Sequence, residues 1–171
     1  QMNGGSGLKN KIFAILGIGI VLIIVVVVAN ALFFNKENNA TKLSALAAQQ
    51  TEIIRVSDLG LKTAVDGDTR NFAETTKLTV QTQLNLLTAY LKKSNVTVTP
   101  LILQSKLDKK TDTALTTAAS ANRFDDVFKE TLKAELVSYA TNIKDAYTTA
   151  SNPTSKKLMS DSFDSIETLL K

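Results

Sequence analysis

Residues 43–64, LSALAAQQTEIIRVSDLGLKTA, decide the fold. Leu43, Leu46, Ala47, Ile53, Ile54, Leu61 and Ala64 recur at helical spacings, as one buried stripe on an α-helix requires. The pattern breaks at Asp66-Gly67-Asp68, a turn in which Asp68 is expected to cap the next helix. That helix is expected from Thr69 to Lys93, with Phe72, Val80, Leu84, Leu87 and Leu91 inward. Ser94 to Pro100 reads as a loop. A third helix is expected from Ile102 to Ala119, with Leu103, Leu107 and Leu115 inward. A long fourth follows from Arg123 to Ala150, its core face drawn by Phe124, Phe128, Leu132, Leu136, Ile143 and Tyr147. Asn152-Pro153 has the residues of a helix start, Asn as N-cap and Pro in the first turn. The last helix carries Leu158, Phe163, Ile166, Leu169 and Leu170. No strand-like alternation with hairpin turns occurs, so residues 41–171 read as an all-α, antiparallel bundle of four to five helices.

Toward the N-terminus, residues 35–40 read as a polar linker. Before it lies an uncharged apolar run, residues 12–34, about 34 Å long as a helix against a hydrocarbon core of roughly 30 Å. This length predicts a single transmembrane helix. Lys9 and Lys11 precede it, whereas Lys36 and Glu37 cancel on the other side. Residues 1–11 are therefore expected as a cytoplasmic tail, with the bundle extracytoplasmic on the cytoplasmic (inner) membrane and the lipid bilayer as one partner. The rival reading is a cleaved signal peptide, with Lys9 and Lys11 as its basic region and Ala29-Asn30-Ala31 as its cleavage site. The uncleaved anchor is preferred because the run exceeds the usual signal core of about 7–15 residues.

Composition narrows the chemistry. The chain has no His and no Cys, which removes the commonest general base, thiol nucleophiles, disulfides and His- or Cys-based metal sites. Once Lys9 and Lys11 are set aside, 18 basic residues face 16 acidic ones, too small an excess for a nucleic-acid surface. Asp66-Gly67-Asp68 lacks the other ligands of a calcium loop. Ser155 and Lys156 are adjacent on a helix, where side chains do not face each other, so they make a poor catalytic dyad. Tyr90, Tyr139 and Tyr147 read as core or rim positions. Asn39-Ala40-Thr41 and Asn95-Val96-Thr97 match the glycosylation triplet and are taken as chance matches. No catalytic, cofactor-binding or metal-binding residue emerges, and the expectation is a non-enzymatic protein without cofactor.

Three stretches carry a family resemblance. They are Asp68-Thr69-Arg70-Asn71-Phe72-Ala73 leading to Leu91-Lys92-Lys93-Ser94-Asn95-Val96, then Phe124-Asp125-Asp126-Val127-Phe128, and Ser151-Asn152-Pro153. Over residues 43–171 the chain resembles the ferritin-like helical-bundle domain of bacterial envelope proteins of uncharacterised function. The family places an Asp-His pair on the second helix and another on the fourth. By register those histidines fall on Val80 and Leu136 here; Glu135 retains one acidic neighbour, and Leu78-Thr79 retains none. A ferritin-like di-iron site uses inward carboxylates and Glu-x-x-His pairs, which this chain cannot form. Its other acids, such as Glu52, Glu74, Glu130 and Glu135, are read as a solvated face.

The resulting expectation is a single-pass cell-envelope protein, a structural or interaction subunit of a surface assembly, with protein partners or a homo-oligomer. The alternatives are a pilin-like filament subunit, whose N-terminal apolar helix packs away from lipid, and a metal-binding ferritin-like protein.

Overall fold

The computed structural model describes residues 39–171, and Asn38–Lys171 forms a unit separate from Gln1–Glu37. The expected tail 1–11 and membrane helix 12–34 lie outside the described residues. No described helix is long and apolar enough to cross a membrane. Of the expected linker 35–40, residues 39 and 40 are already helical.

The described residues are all-α. Helix α1 covers 39–63, followed by α2 (Gly67–Lys93), the single turn α3 (Pro100–Leu103), a 3₁₀ turn (Gln104–Lys106), α4 (Lys109–Ser120), α5 (Phe124–Thr149) and α6 (Pro153–Leu170). Pairings across the bundle fix the directions. Lys42 reaches Asp145 while Gln50 reaches Tyr139, so α1 and α5 are antiparallel. The crossing from Lys144 to Phe163 at one level and from Lys156 to Tyr147 at the next makes α5 and α6 antiparallel. Helix α2 runs against α1, packs along α6, and meets α5 only lightly on the diagonal. The sense is up, down, down, up, and residues 94–123 form one long crossover that brings the chain back before α5 starts. Not every neighbour in sequence is therefore antiparallel, as the short-loop reading implied: α2 and α5 run the same way.

The helix ends follow local chemistry. Asn95 and Asn122 have positive φ, 60° and 54°, each just past a helix. Behind them Val96 N–H donates to Leu91 C=O at 2.9 Å and Arg123 N–H to Ala118 C=O at 2.9 Å, closing α2 and α4 with the same left-handed stop. Asn tolerates that conformation better than other residues with a Cβ. Asn152 caps α6, its Oδ1 accepting from Thr154 N–H at 2.8 Å, and Pro153 opens it as expected. The α1–α2 corner corrects the sequence reading. Asp66 is the cap, accepting from Thr69 N–H at 2.9 Å and Thr69 Oγ1 at 2.7 Å, and these bonds hold its carboxyl below the usual range. Asp68 sits in the first turn of α2, where a carboxylate complements the helix dipole.

The expected single helix from Ile102 to Ala119 is also corrected. The chain turns extended at Leu107, and Asp108 starts α4 by accepting from Lys110 N–H at 2.8 Å. Asp108 N–H is drawn sideways to Glu52 Oε1 at 3.2 Å, so it leaves the path a continuous helix would need. Leu107 is consequently exposed rather than inward, while Leu115 is buried.

Val80, Leu87, Leu91, Phe124, Phe128, Leu132, Leu136, Ile143 and Ile166 join one core, as expected. Tyr147 does not: it is 43% exposed. Phe124, Phe128, Leu132 and Leu136 step by four, and each such step drifts about 40° around the helix. The steps of three from Leu136 to Tyr139 and from Ile143 to Ala146 restore the inward track, which leaves Tyr147 on the flank. In α6 the inward line is Ser155, Met159, Ser162 and Ile166; Leu158, Phe163, Leu169 and Leu170 pack beside it, only partly buried.

Helix α1 is enclosed over its middle. Leu46, Ala47, Ala48, Gln49, Gln50, Glu52, Ile53, Val56 and Ser57 are all buried, and Ile54 and Leu61 are partly so. Small residues let neighbours close around it. A Cβ at Gly60 would lie 2.2 Å from Phe128 Cζ, and that ring is fully buried and stacked on Phe124 with centroids 5.6 Å apart.

Candidate functional site

Two polar groupings lie inside the bundle. The first crosses its centre. Gln50 of α1 donates from Nε2 to Tyr139 Oη at 2.5 Å; Tyr139 donates to Gln83 Oε1 at 3.1 Å; Gln83 Nε2 donates to Ser162 C=O at 3.3 Å. One chain of neutral hydrogen bonds thus joins α1, α5, α2 and α6. All three side chains are buried, and burial pushes the Tyr139 phenol upward, so it keeps its proton and remains a donor. Beside it, Gln49 donates to Ser138 Oγ at 3.2 Å and accepts from Asn142 Nδ2 at 2.8 Å, a second link from α1 to α5.

Val80 and Leu136, where the resemblance assigns histidine, are fully buried, each three residues before a member of this chain: Gln83 on α2 and Tyr139 on α5. Both positions face inward, as the register requires, and present only hydrocarbon. Tyr139 is a core residue, Tyr90 sits at the rim, and Ser155 is buried with its hydroxyl donated to Asn152 C=O at 2.9 Å, away from any dyad with Lys156.

The second grouping overturns one sequence reading. Glu52 is not solvated: its side chain is 2% exposed. Arg55, one turn on, grips it with a fork, Nε to Oε2 at 2.8 Å and Nη2 to Oε1 at 2.7 Å, and reaches across to Asp112 of α4 with Nη1. Glu52 also accepts the Asp108 N–H. The cluster therefore bolts the crossover onto α1, and α4 is the element that covers this face of α1. Hydrogen bonding to Glu52 holds the Arg55 guanidinium more firmly protonated than usual, against a smaller opposing effect of burial. Glu74 and Glu130 are exposed, as expected, but Glu135 is half-buried.

Glu135 of α5 feels the charges of this cluster. Burial raises its carboxyl above the ordinary 4.5, the charges of Glu52 and Asp108 raise it further, and Arg55 opposes them. A carboxyl raised in the folded state favours folding most below its unfolded value near 4.5, and that contribution is lost as pH rises through the higher folded value. Glu135→Gln is therefore expected to raise the melting temperature at pH 7 and to lose this advantage below about pH 4.5. Thermal melts of both proteins across that range check it; an equal difference at both ends would locate the effect elsewhere.

Among the described residues no three His, Cys, Asp or Glu side chains converge as a metal site. The inward carboxylate is held by a guanidinium, and the central polar level is neutral amide and phenol. Among the described residues these interior polar groups cross-link the helices. Fold and site together define an all-α bundle with an internally bonded polar centre. No family model, curated protein or solved structure matches the chain.

Proposed function

We propose that this is a membrane-anchored protein of the bacterial cell envelope in which the bundle is a non-enzymatic structural or interaction subunit. Residues 12–34 are its single-pass anchor, the N-terminal tail is cytoplasmic, and residues 41–171 stand on the extracytoplasmic side. The observation that carries the scaffold reading is the use made of the interior polar side chains. Glu52 is paired with Arg55, and Gln50, Tyr139 and Gln83 are linked in one chain across the helices, with Gln50 Oε1 and Thr76 Oγ1 left as buried atoms that make no hydrogen bond. The ferritin-like reading draws support from the up-down-down-up order with one long crossover, a topology that ferritin-like bundles use. Hydrocarbon at Val80 and Leu136 suits a bundle that has given up a metal site for core packing.

Protease added to cells with any outer barrier opened is expected to remove the bundle and spare the N-terminal tail. Cleavage of the tail with the bundle protected would reverse the topology, and recovery of the full chain from the soluble fraction would remove the anchor. The purified protein, made in metal-supplemented medium, is expected to hold no stoichiometric iron, manganese or zinc by inductively coupled plasma mass spectrometry. About one or two tightly held ions per chain, the complement of a ferritin-like site, would defeat the scaffold reading.

A further inference from the structure

The outer groove between α1 and α5 is covered by α4, whereas no described residue covers the neighbouring groove between α5 and α6. Its floor is Ile143, Tyr147, Met159 and Phe163, with a volume of about 380 Å³, within the range of small-molecule sites. Two lysines bracket it reciprocally. Lys144 of α5 lies over the Phe163 ring of α6 at 4.5 Å, and Lys156 of α6 lies over the Tyr147 ring of α5 at 5.5 Å. Among the described residues neither ammonium forms an ion pair; the nearby carboxylates Asp145 and Asp161 are engaged by Lys42 and Lys157. An apolar trough edged by two cations that have ring contacts but no carboxylate partner among the described residues suits an apolar body with an anionic head. The lysine stems reach across the trough from both walls.

We propose that the α5–α6 groove binds a free single-chain fatty carboxylate, its acyl chain on Ile143, Tyr147, Met159 and Phe163 and its carboxylate on Lys144 or Lys156. The carboxylate draws an ammonium off its ring, exchanging a cation–π contact for a charge-assisted hydrogen bond. The acyl chain takes up the exposed ring face.

The test uses the full chain in an uncharged detergent with a dodecanoate carrying a photoactivatable diazirine. Labelling mapped by mass spectrometry is expected to fall within residues 143–163. Unlabelled decanoate, dodecanoate and tetradecanoate are expected to compete, each methylene that enters the groove tightening binding about fourfold. Dodecyltrimethylammonium, with the same tail and the opposite charge, is expected to compete at least tenfold less well. Lys144→Glu with Lys156→Glu should lower labelling at least tenfold with the melting temperature kept, while Lys144→Arg with Lys156→Arg should retain it. Labelling scattered over the bundle, or equal competition by the cationic amphiphile, overturns the proposal. So do chain-to-chain crosslinks through residues 143–163, which would make the groove an interface between two copies. Labelling by anionic phospholipid vesicles but not by the free acid, which would make it a membrane-docking face, overturns it as well.

Discussion

Leu136→Asp abolishes cooperative folding of the bundle. Leu136 has no exposed surface and sits on α5 between Leu132 and Tyr139, both also buried. No cation is hydrogen-bonded or ion-paired nearby on the inward track of α5, so a carboxylate there would be desolvated without a partner. Leaving it charged costs several kcal/mol, and keeping it protonated still buries an unpaired polar group; either is a large share of a typical domain stability of about 5–15 kcal/mol. Leu136→Ala is the graded control, expected to cost about 2–5 kcal/mol through lost burial and a residual cavity. Circular-dichroism melts of the two variants check the pair. An Asp variant that melts like the parent would put residue 136 on the surface.

Arg55→Met is the second large effect. It leaves the Glu52 carboxylate buried with only the Asp108 N–H for compensation and removes the link to Asp112. Breaking a buried pair from one side typically costs about 3–5 kcal/mol. The result expected in chemical denaturation is a loss of that order, together with faster amide exchange in α4, the element that Arg55 holds down. Glu52→Leu added to Arg55→Met is expected to recover most of the loss, since apolar replacement of both partners of a buried pair is often neutral. If the double variant stays as unstable as the single one, the damage comes from the lost α4 contact and not from a stranded charge.

Much of the all-α frame was legible because its signals are local. The Asn152-Pro153 start, the end of α2 at Lys93 and the core line Phe124, Phe128, Leu132, Leu136 depend on helix geometry and on the residues themselves. Their periodicity alone places Val80 and Leu136 inward. The misreadings have local causes too. Asp66 and Asp68 are both capping residues two apart, and only the hydrogen bonds to Thr69 choose between them. Leu107 continues the apolar spacing of its neighbours, but the Asp108 cap was the available signal that a helix begins after it.

The candidate site was the least legible part. Glu52 reads as solvated from the sequence, and Gln49, Gln50 and Arg55 beside it have the composition of a wet helix face. What reverses that assignment is the crossover, which lays α4 over the outer face of α1 and supplies Asp112 and the Asp108 N–H from more than fifty residues away. The Gln50–Tyr139–Gln83 chain likewise needs three helices at the same level. Hydrophobic spacing and caps therefore determined, from the sequence by itself, which segments are helices and which apolar side chains turn inward. Which polar side chains are desolvated, and paired with what, only the tertiary structure decided, because burial of a polar face depends on the element that comes to cover it.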